Sequence, residues 1–399
     1  MKSSLSKFAA RLTFGVALFS ALFSPLRAEE KAHKHHGGMQ MKKGPDLSTA
    51  AAFDGDGRLW AVYKQEGKIV LSRSEDLGKT WSAPVLISDE PTDPGADARP
   101  KLAFGRTGEV YLTWTHPMSK PFSGEIRFTR SLDGGKTFSA PITVHADPQE
   151  ITHRFDAITV APNGTVFVAW IDKRDVVAAQ NAGAEYRGAA VYFAVSKDQG
   201  ATFQGDYKVV DNSCECCRVA LTTTTEGEVV ALWRHIFEPN VRDHAMATLR
   251  ADGTCSPMRR ASFEDWKVDA CPHHGPALAG GEGKMHAVWF TQSPKSPGVF
   301  YCSFRNERPD TPKRVGDDTA ERPDIAASGD SVALTWKQFD GVKSQLCGML
   351  SKDGGMTWKE LSLASAEGAS DHPRILTHKG QFYVLWNSRS APLSVVTFP

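Results

Sequence analysis

The chain has 399 residues and carries 47 Lys and Arg against 46 Asp and Glu, a formal net charge of +1. Charges that cancel this closely argue against a nucleic-acid partner or an anionic membrane surface. The length exceeds an ordinary domain but suits a repeat architecture, and 34 Gly, 10 Trp and 21 Phe suit many short strands joined by tight turns.

The N-terminus reads as a targeting signal. Lys2, Lys7 and Arg11 form a basic start, Leu12 to Phe23 an apolar stretch, and Pro25-Leu-Arg-Ala28 a small-residue cleavage site before Glu29. The apolar stretch falls short of the roughly 18–20 residues that a membrane span needs. Residues 1–28 are therefore expected to be removed as a signal peptide, leaving a mature chain with no membrane span, in the periplasm or outside the cell. Residues 29–44 follow as a flexible segment rich in His33, His35, His36, Met39 and Met41. Such tracts hold soft or borderline metals, and the Met thioethers lean toward copper.

From residue 45 to 399 the sequence repeats. Alternating apolar residues end on an aromatic in Leu59–Tyr63, Val110–Trp114, Val166–Trp170, Val229–Trp233, Met285–Trp289, Val332–Trp336 and Phe382–Trp386. The closing aromatics recur every 47 to 63 residues. Period-two alternation predicts a strand, and recurrence near 50 residues predicts one propeller blade per repeat. The last repeat, from about Ile375, has room for three strands. Either the segment just before Asp46 supplies a fourth, or that blade stays three-stranded.

A second periodic signal, Ser-x-Asp-x-Gly-x-Thr-aromatic, occurs at Ser74–Trp81, Ser131–Phe138, Ser196–Phe203 and Ser351–Trp358. Asp accepts from nearby backbone N–H groups and Gly takes positive φ, so the motif predicts a turn rather than a catalytic carboxylate. It resembles the Asp-box, or BNR repeat, of sialidase-like β-propellers, in which such a turn joins the third and fourth strands of a blade. The resemblance covers nearly the whole mature chain. It implies six blades, as in sialidases, whereas seven strand patterns are counted here. The fold expected is all-β, a seven-bladed β-propeller of four-stranded antiparallel blades, with a six-bladed sialidase-like ring as the alternative.

Blade topology converts position into geometry. First strands descend beside the central channel, so the inter-blade segments before them ring the channel mouth, with the Asp-boxes on the opposite face. That ring reads Gly44-Pro-Asp46, Asp97-Ala-Arg99, His153-Arg154-Phe-Asp156, Cys214-Glu-Cys-Cys-Arg218, Cys271-Pro-His-His274, Glu321-Arg322-Pro-Asp324 and Asp371-His372-Pro-Arg374. Second-strand ends add His116, Asp172, Arg234 and His235.

Cys214, Cys216 and Cys217 precede blade four, and Cys271, His273 and His274 precede blade five, so thiols and imidazoles converge at neighbouring loops. Such ligands suit Cu(I) or Zn²⁺, with soft sulfur favouring copper. His116, His235 and His372 are candidates to complete the coordination, and the long loop from Asp172 to Arg187, with Tyr186, to cover it. Disulfide pairing among the ring cysteines is the competing reading in an oxidising compartment, alone or beside a metal. Seven cysteines is an odd number, which leaves at least one thiol unpaired within the chain. Cys255, Cys302 and Cys347 read as small core fillers.

The function expected is an exported copper-binding propeller with a metal ion as its partner. A copper-dependent oxidoreductase in copper homeostasis or detoxification, acting on a small molecule, is the activity such a centre permits. The family resemblance implies an alternative, a sialidase-like exo-glycosidase. Sialidases hold the substrate carboxylate with three arginines and use a Tyr nucleophile paired with Glu and an Asp acid/base. Arg99, Arg322 and Arg374, with Arg154 and Arg218, supply such a cluster, and Tyr301 or Tyr186 with Glu238 is the Tyr–Glu choice. The family's Arg-Ile-Pro is absent: Gly44-Pro-Asp-Leu stands at its first-blade position. A non-catalytic platform that binds protein or glycan is the third reading.

Overall fold

In the computed structural model, residues 46–305 and 308–399 are described. They form seven antiparallel sheets arranged as the blades of a β-propeller. The seven second strands are Leu59–Gln65, Val110–Pro117, Val166–Asp172, Val229–Arg234, Lys284–Ser293, Ser331–Phe339 and Gln381–Trp386. Each contains one of the repeated apolar segments. Several are buried along nearly their whole length, because each blade is sandwiched between two others and neither face meets water. Trp60, Trp114, Trp170, Trp233 and Trp289 are wholly buried, and such burial contributes on the order of 2–3 kcal/mol per aromatic side chain.

First strands converge on the axis, where space is least, and small or β-branched residues face the channel. Ala50, Ala157, Ala220, Ala277, Ile325 and Ile375 line a central cavity of about 180 Å³ together with Arg99, Lys101, Arg218, Asp324 and Arg374. The ring has seven blades, so the six-bladed alternative is excluded.

The blades are four-stranded except two. Blade five carries an additional short strand, Lys313–Val315, paired with Ser296–Arg305. Blade seven has three strands, Arg374–His378, Gln381–Trp386 and Ser394–Thr397, among the described residues. Among the described residues, side-chain and backbone hydrogen bonds close the ring there. Thr49 N donates to Asp371 Oδ2 at 2.7 Å, Asn387 Nδ2 to Asp46 O at 3.0 Å, and Trp81 Nε1 to Leu393 O at 3.2 Å. The signal peptide, the segment with His33, His35, His36, Met39 and Met41, and any strand before Asp46 lie outside the described residues. Among those described, no helix is long and apolar enough to cross a membrane.

The four Ser-Asp-Gly-Thr segments each join a third to a fourth strand. In the second blade Ser131 Oγ donates to Asp133 Oδ1 at 2.7 Å, Gly135 N to Ser131 Oγ at 2.8 Å, and Thr137 N and Oγ1 to Asp133 at 3.0 and 2.7 Å. The same bonds recur around Asp76, Asp198 and Asp353. These contacts hold the aspartates well below the usual carboxylate range, the Thr137 hydroxyl most of all for Asp133. Each turn also leans on the preceding blade: a Cβ at Gly135, whose φ is +77°, would stand 2.3 Å from buried Trp60.

Candidate metal centre at the channel mouth

Blade three ends at Ser213 and blade four begins at Ala220, so Cys214–Val219 is an inter-blade crossing. It is pinned at both ends. Cys214 N donates to Arg234 O at 2.9 Å and Val219 N to Phe155 O at 3.3 Å. The next crossing, containing Cys271–Pro276, lies directly against it. A Cβ at Gly275 would stand 2.3 Å from Arg218 Cγ, so the two crossings approach this closely only because position 275 has no side chain. Arg234 Nη2 ties them further, donating to His274 O at 3.1 Å and Phe290 O at 2.6 Å.

Cys214, Cys216 and Cys217 are 0, 4 and 1 % exposed. Their sulfurs form a near-equilateral triangle with sides of 3.7, 3.7 and 3.9 Å. All seven cysteines are free thiols. An ion in the plane of the triangle would stand about 2.2 Å from each sulfur, close to the ~2.3 Å of a metal–thiolate bond. The surroundings favour negative sulfur. Hydrogen bonding with Cys216 and Cys217, then the charges of Arg234 and Arg242, hold the Cys214 thiol well below its ordinary range despite burial. Arg242 Nη1 donates to Cys214 Sγ at 3.3 Å and its Nε to Val268 O at 3.1 Å. The same proton sharing pushes Cys216 up, and burial pushes Cys217 up.

Cys271 and His273 stand at the solvent side of this cluster. Cys216 Sγ, Cys271 Sγ and a ring nitrogen of His273 all lie within 4.8 Å of one another. His273 has φ +51°, a conformation uncommon outside glycine. Its carbonyl accepts from Arg322 Nη1. Arg322, also at positive φ (+55°), is held in turn by Asp97 Oδ2 at 3.3 Å. Asp97 Oδ1 accepts from Arg218 at 2.8 Å, so one carboxylate braces both crossings.

The other histidines stand apart. His274 stacks on Phe290 with ring centroids 4.0 Å apart, its Nδ1 faces Pro272 O at 2.6 Å, and its Nε2 lies 3.5 Å from Glu321. His116 Nδ1 is 2.8 Å from Pro91 O in blade two. His235 is buried edge-on to Phe237, and desolvation lowers it to about 4. His372 Nδ1 faces Asp97 at 3.9 Å. Imidazole direction is decided by these ring contacts, which blade position does not specify.

The arginines at the mouth each hold an acid of the ring. Arg99 pairs with Asp371 at 3.1 Å, Arg154 with Asp93, and Arg374 with Asp324 at 3.3 Å. Tyr301 corrects the expectation of a nucleophile: its hydroxyl bonds His286 Nδ1 at 2.8 Å and abuts Gly355, in the blade-six turn on the face opposite the mouth. Tyr186 donates to Asp211 at 2.6 Å, while Glu238 pairs with Arg187 at 3.1 Å, so no Tyr186–Glu238 pair forms. Cys255, Cys302 and Cys347 sit in separate strands and turns; Cys302 and Cys347 are buried.

Two features had no sequence signal. Arg242 reaches Cys214 from a turn with no motif. Beside it an open cleft of about 1010 Å³ is lined by Glu185, Asp211, Glu215, Glu238 and Asp269 against only Arg187 and Arg242. The segment from Asp172 to Arg187 forms the helix Arg174–Asn181 and then one wall of this cleft, including Tyr186. Three of the cleft's five acids are already paired, Glu215 with Lys173, Asp211 with Lys208 and Glu238 with Arg187. A further group, Asp147, His153 and Asp172, already holds a cation: Arg174 lies 3.4 Å from Asp147 and 2.7 Å from Asp172 and Asp206.

No protein-family model matches the chain, and no curated protein matches it. Solved structures do. A PL25 ulvan lyase bound to a glucuronate–sulfated-rhamnose oligosaccharide aligns over 89 % of this chain and 93 % of its own, with a TM-score of 0.54 at 10 % identity. A Hadza microbial sialidase aligns over 86 % of this chain and 73 % of its own, with a TM-score of 0.51 at 16 % identity. A protein of unknown function from Dyadobacter fermentans aligns over 80 % and 93 %, with a TM-score of 0.50 at 14 % identity. At these identities the likeness is one of fold. The chain has a seven-bladed β-propeller fold, which resembles that of these proteins, with a cluster of cysteines at its channel mouth.

Proposed function

We propose that this protein is an exported copper-binding propeller that holds Cu(I) through Cys214, Cys216 and Cys217. The observation that carries the reading is the sulfur triangle, with sides of 3.7 to 3.9 Å and buried throughout. Three thiolates suit a soft monovalent ion. Zn²⁺, the alternative, with bonds of about 2.3 Å, would sit above the plane and call for a fourth ligand there. Charge supports the same choice. Three thiolates and Cu(I) carry two negative charges, and two guanidiniums, Arg234 and Arg242, face them, which offsets the cost of burying the anion. This crossing carries Arg218 as others carry Arg154 and Arg322, and adds three cysteines, more than any other crossing has, so the cysteines are a local departure from the repeat.

Elemental analysis of the purified mature protein is expected to find near-stoichiometric copper, lost when Cys216 and Cys217 become Ser. Metal-free protein that takes up no Cu(I) would reject the reading. Copper-dependent oxidation of a small molecule, with dioxygen as the electron acceptor, would have to proceed from the side of the exposed Cys271 and His273, because the triangle itself is buried, and loss of copper would abolish it.

The second reading is a sialidase-type glycosidase. It draws support from the arginines at the mouth and from the fold shared with a microbial sialidase. It requires Arg99, Arg322 and Arg374 to exchange Asp371, Asp97 and Asp324 for a substrate carboxylate. Hydrolysis of a fluorogenic sialoside, abolished by Arg374→Ala, would establish it in place of copper binding.

A further inference from the structure

We infer that the cluster holds two copper ions rather than one, with Cys216 bridging a buried position and an exposed exchange position formed with Cys271 and His273. The inference rests on the copper reading but adds to it a second site and a direction of traffic. Two groups of ligands share one sulfur: Cys214, Cys216 and Cys217 form the first, and Cys216, Cys271 and His273 the second. Thiolate sulfur has lone pairs enough to bridge two soft cations.

The two positions differ in access. All three ligands of the inner position are buried, while Cys271 and His273 are exposed. The ligand atoms of the outer group lie within 4.8 Å of one another, so small side-chain movements would let all three reach one ion. Two sulfurs and one imidazole leave a coordination position open to solvent, which is what transfer to or from another ligand requires.

The outer ligands are also held in place. His273 sits at φ +51°, and Arg322 clamps its carbonyl from a second residue at positive φ. Backbone strain of this kind persists where surrounding contacts fix it. Here the fixing contact is Asp97, which also holds Arg218 beside Cys217. Arg322 is thus a positioning residue for His273. On the cleft side, Glu215 adjoins Cys216 in sequence and Asp269 lies two residues before Cys271, and both line the acidic cleft. The rim of that cleft therefore lies one to two residues along the chain from Cys216 and Cys271, and the buried triangle lies behind the exposed ligands.

Titration of the purified full-length mature protein with Cu(I), against a chromophoric Cu(I) chelator under anaerobic reducing conditions, tests this. The wild type is expected to take up one equivalent more than Cys271→Ser and than His273→Ala, and both variants to retain the buried ion. Both residues are exposed, so thermal melting of the apo forms should match the wild type. The buried ion should leave the variants for the chelator at least tenfold more slowly than it leaves the wild type. Equal stoichiometry and equal release rates in wild type and both variants would overturn the exchange site while leaving the buried site standing. Any copper bound by residues 29–44 is common to all three proteins and cancels. No uptake by the wild type would overturn both readings.

Discussion

The two faces of this propeller are built on different rules. On the far face, each Ser-Asp-Gly-Thr turn is held from within: the bonds among its Ser, Asp, Gly and Thr connect residues no more than four apart, and the same bonds recur in four blades. At the channel mouth the contacts that brace one crossing against another are long-range. Asp97 of blade two holds Arg218 and Arg322, 121 and 225 residues away, and Arg234 reaches the carbonyl of His274. Local self-satisfaction makes a far-face turn transferable from blade to blade. Long-range bracing lets each crossing at the mouth diverge, and one of them has collected three cysteines.

That contrast is sharpened by variants on either side of it. The largest effect is expected from Gly135→Ala on the far face. Its Cβ meets buried Trp60 and its backbone sits at φ +77°, so unfolding free energy should fall by roughly 2–4 kcal/mol with copper content unchanged. A denaturation series with metal analysis reads both; altered copper binding would show that the faces are coupled. At the mouth, Arg242→Gln removes a charge that contacts Cys214 and should weaken Cu(I) binding by about 10–100-fold while leaving melting nearly unchanged. A competition titration reads that loss, and unaltered affinity would contradict the charge balance proposed for the triangle.

Smaller effects test the outer wall. Burial, with the charge of Asp243, raises Glu264 to about 7 from its ordinary 4.5. The folded state therefore keeps a proton that the unfolded chain releases, and stability declines as pH rises from about 4.5 to about 7. With Glu264 partly exposed, the contribution is roughly 1 kcal/mol, and Glu264→Gln should flatten the slope between those limits. Melting curves across that range decide it; an unchanged slope would reject the assignment. Asp353→Ala should lower the melting temperature by roughly 2–4 °C through loss of its bonds to Thr357.

What could be read from the sequence follows the same division. Seven strands ending on an aromatic and four identical turns specify the blades, because each signal is local and repeated. Closure was not legible, since Trp81 meets Leu393 across 312 residues and the contact uses a backbone carbonyl. The cysteines of one crossing were legible from their spacing, and Cys271 and His273 from the adjacency of two crossings. The directions of His116, His235 and His274 were not, because Phe237, Phe290 and backbone carbonyls orient those rings. The pairing of the mouth arginines with ring acids such as Asp97 and Asp324 was legible, since both stand in the crossings; that Arg322 also holds a histidine backbone was not.

The central claim is that three sulfurs of one crossing bind copper. X-ray absorption at the copper edge on the purified mature protein, loaded with one equivalent of Cu(I), tests it most directly. The account predicts a first shell of three sulfurs, reduced in the Cys217→Ser protein. A shell of nitrogen and oxygen alone, unchanged by that substitution, would contradict it.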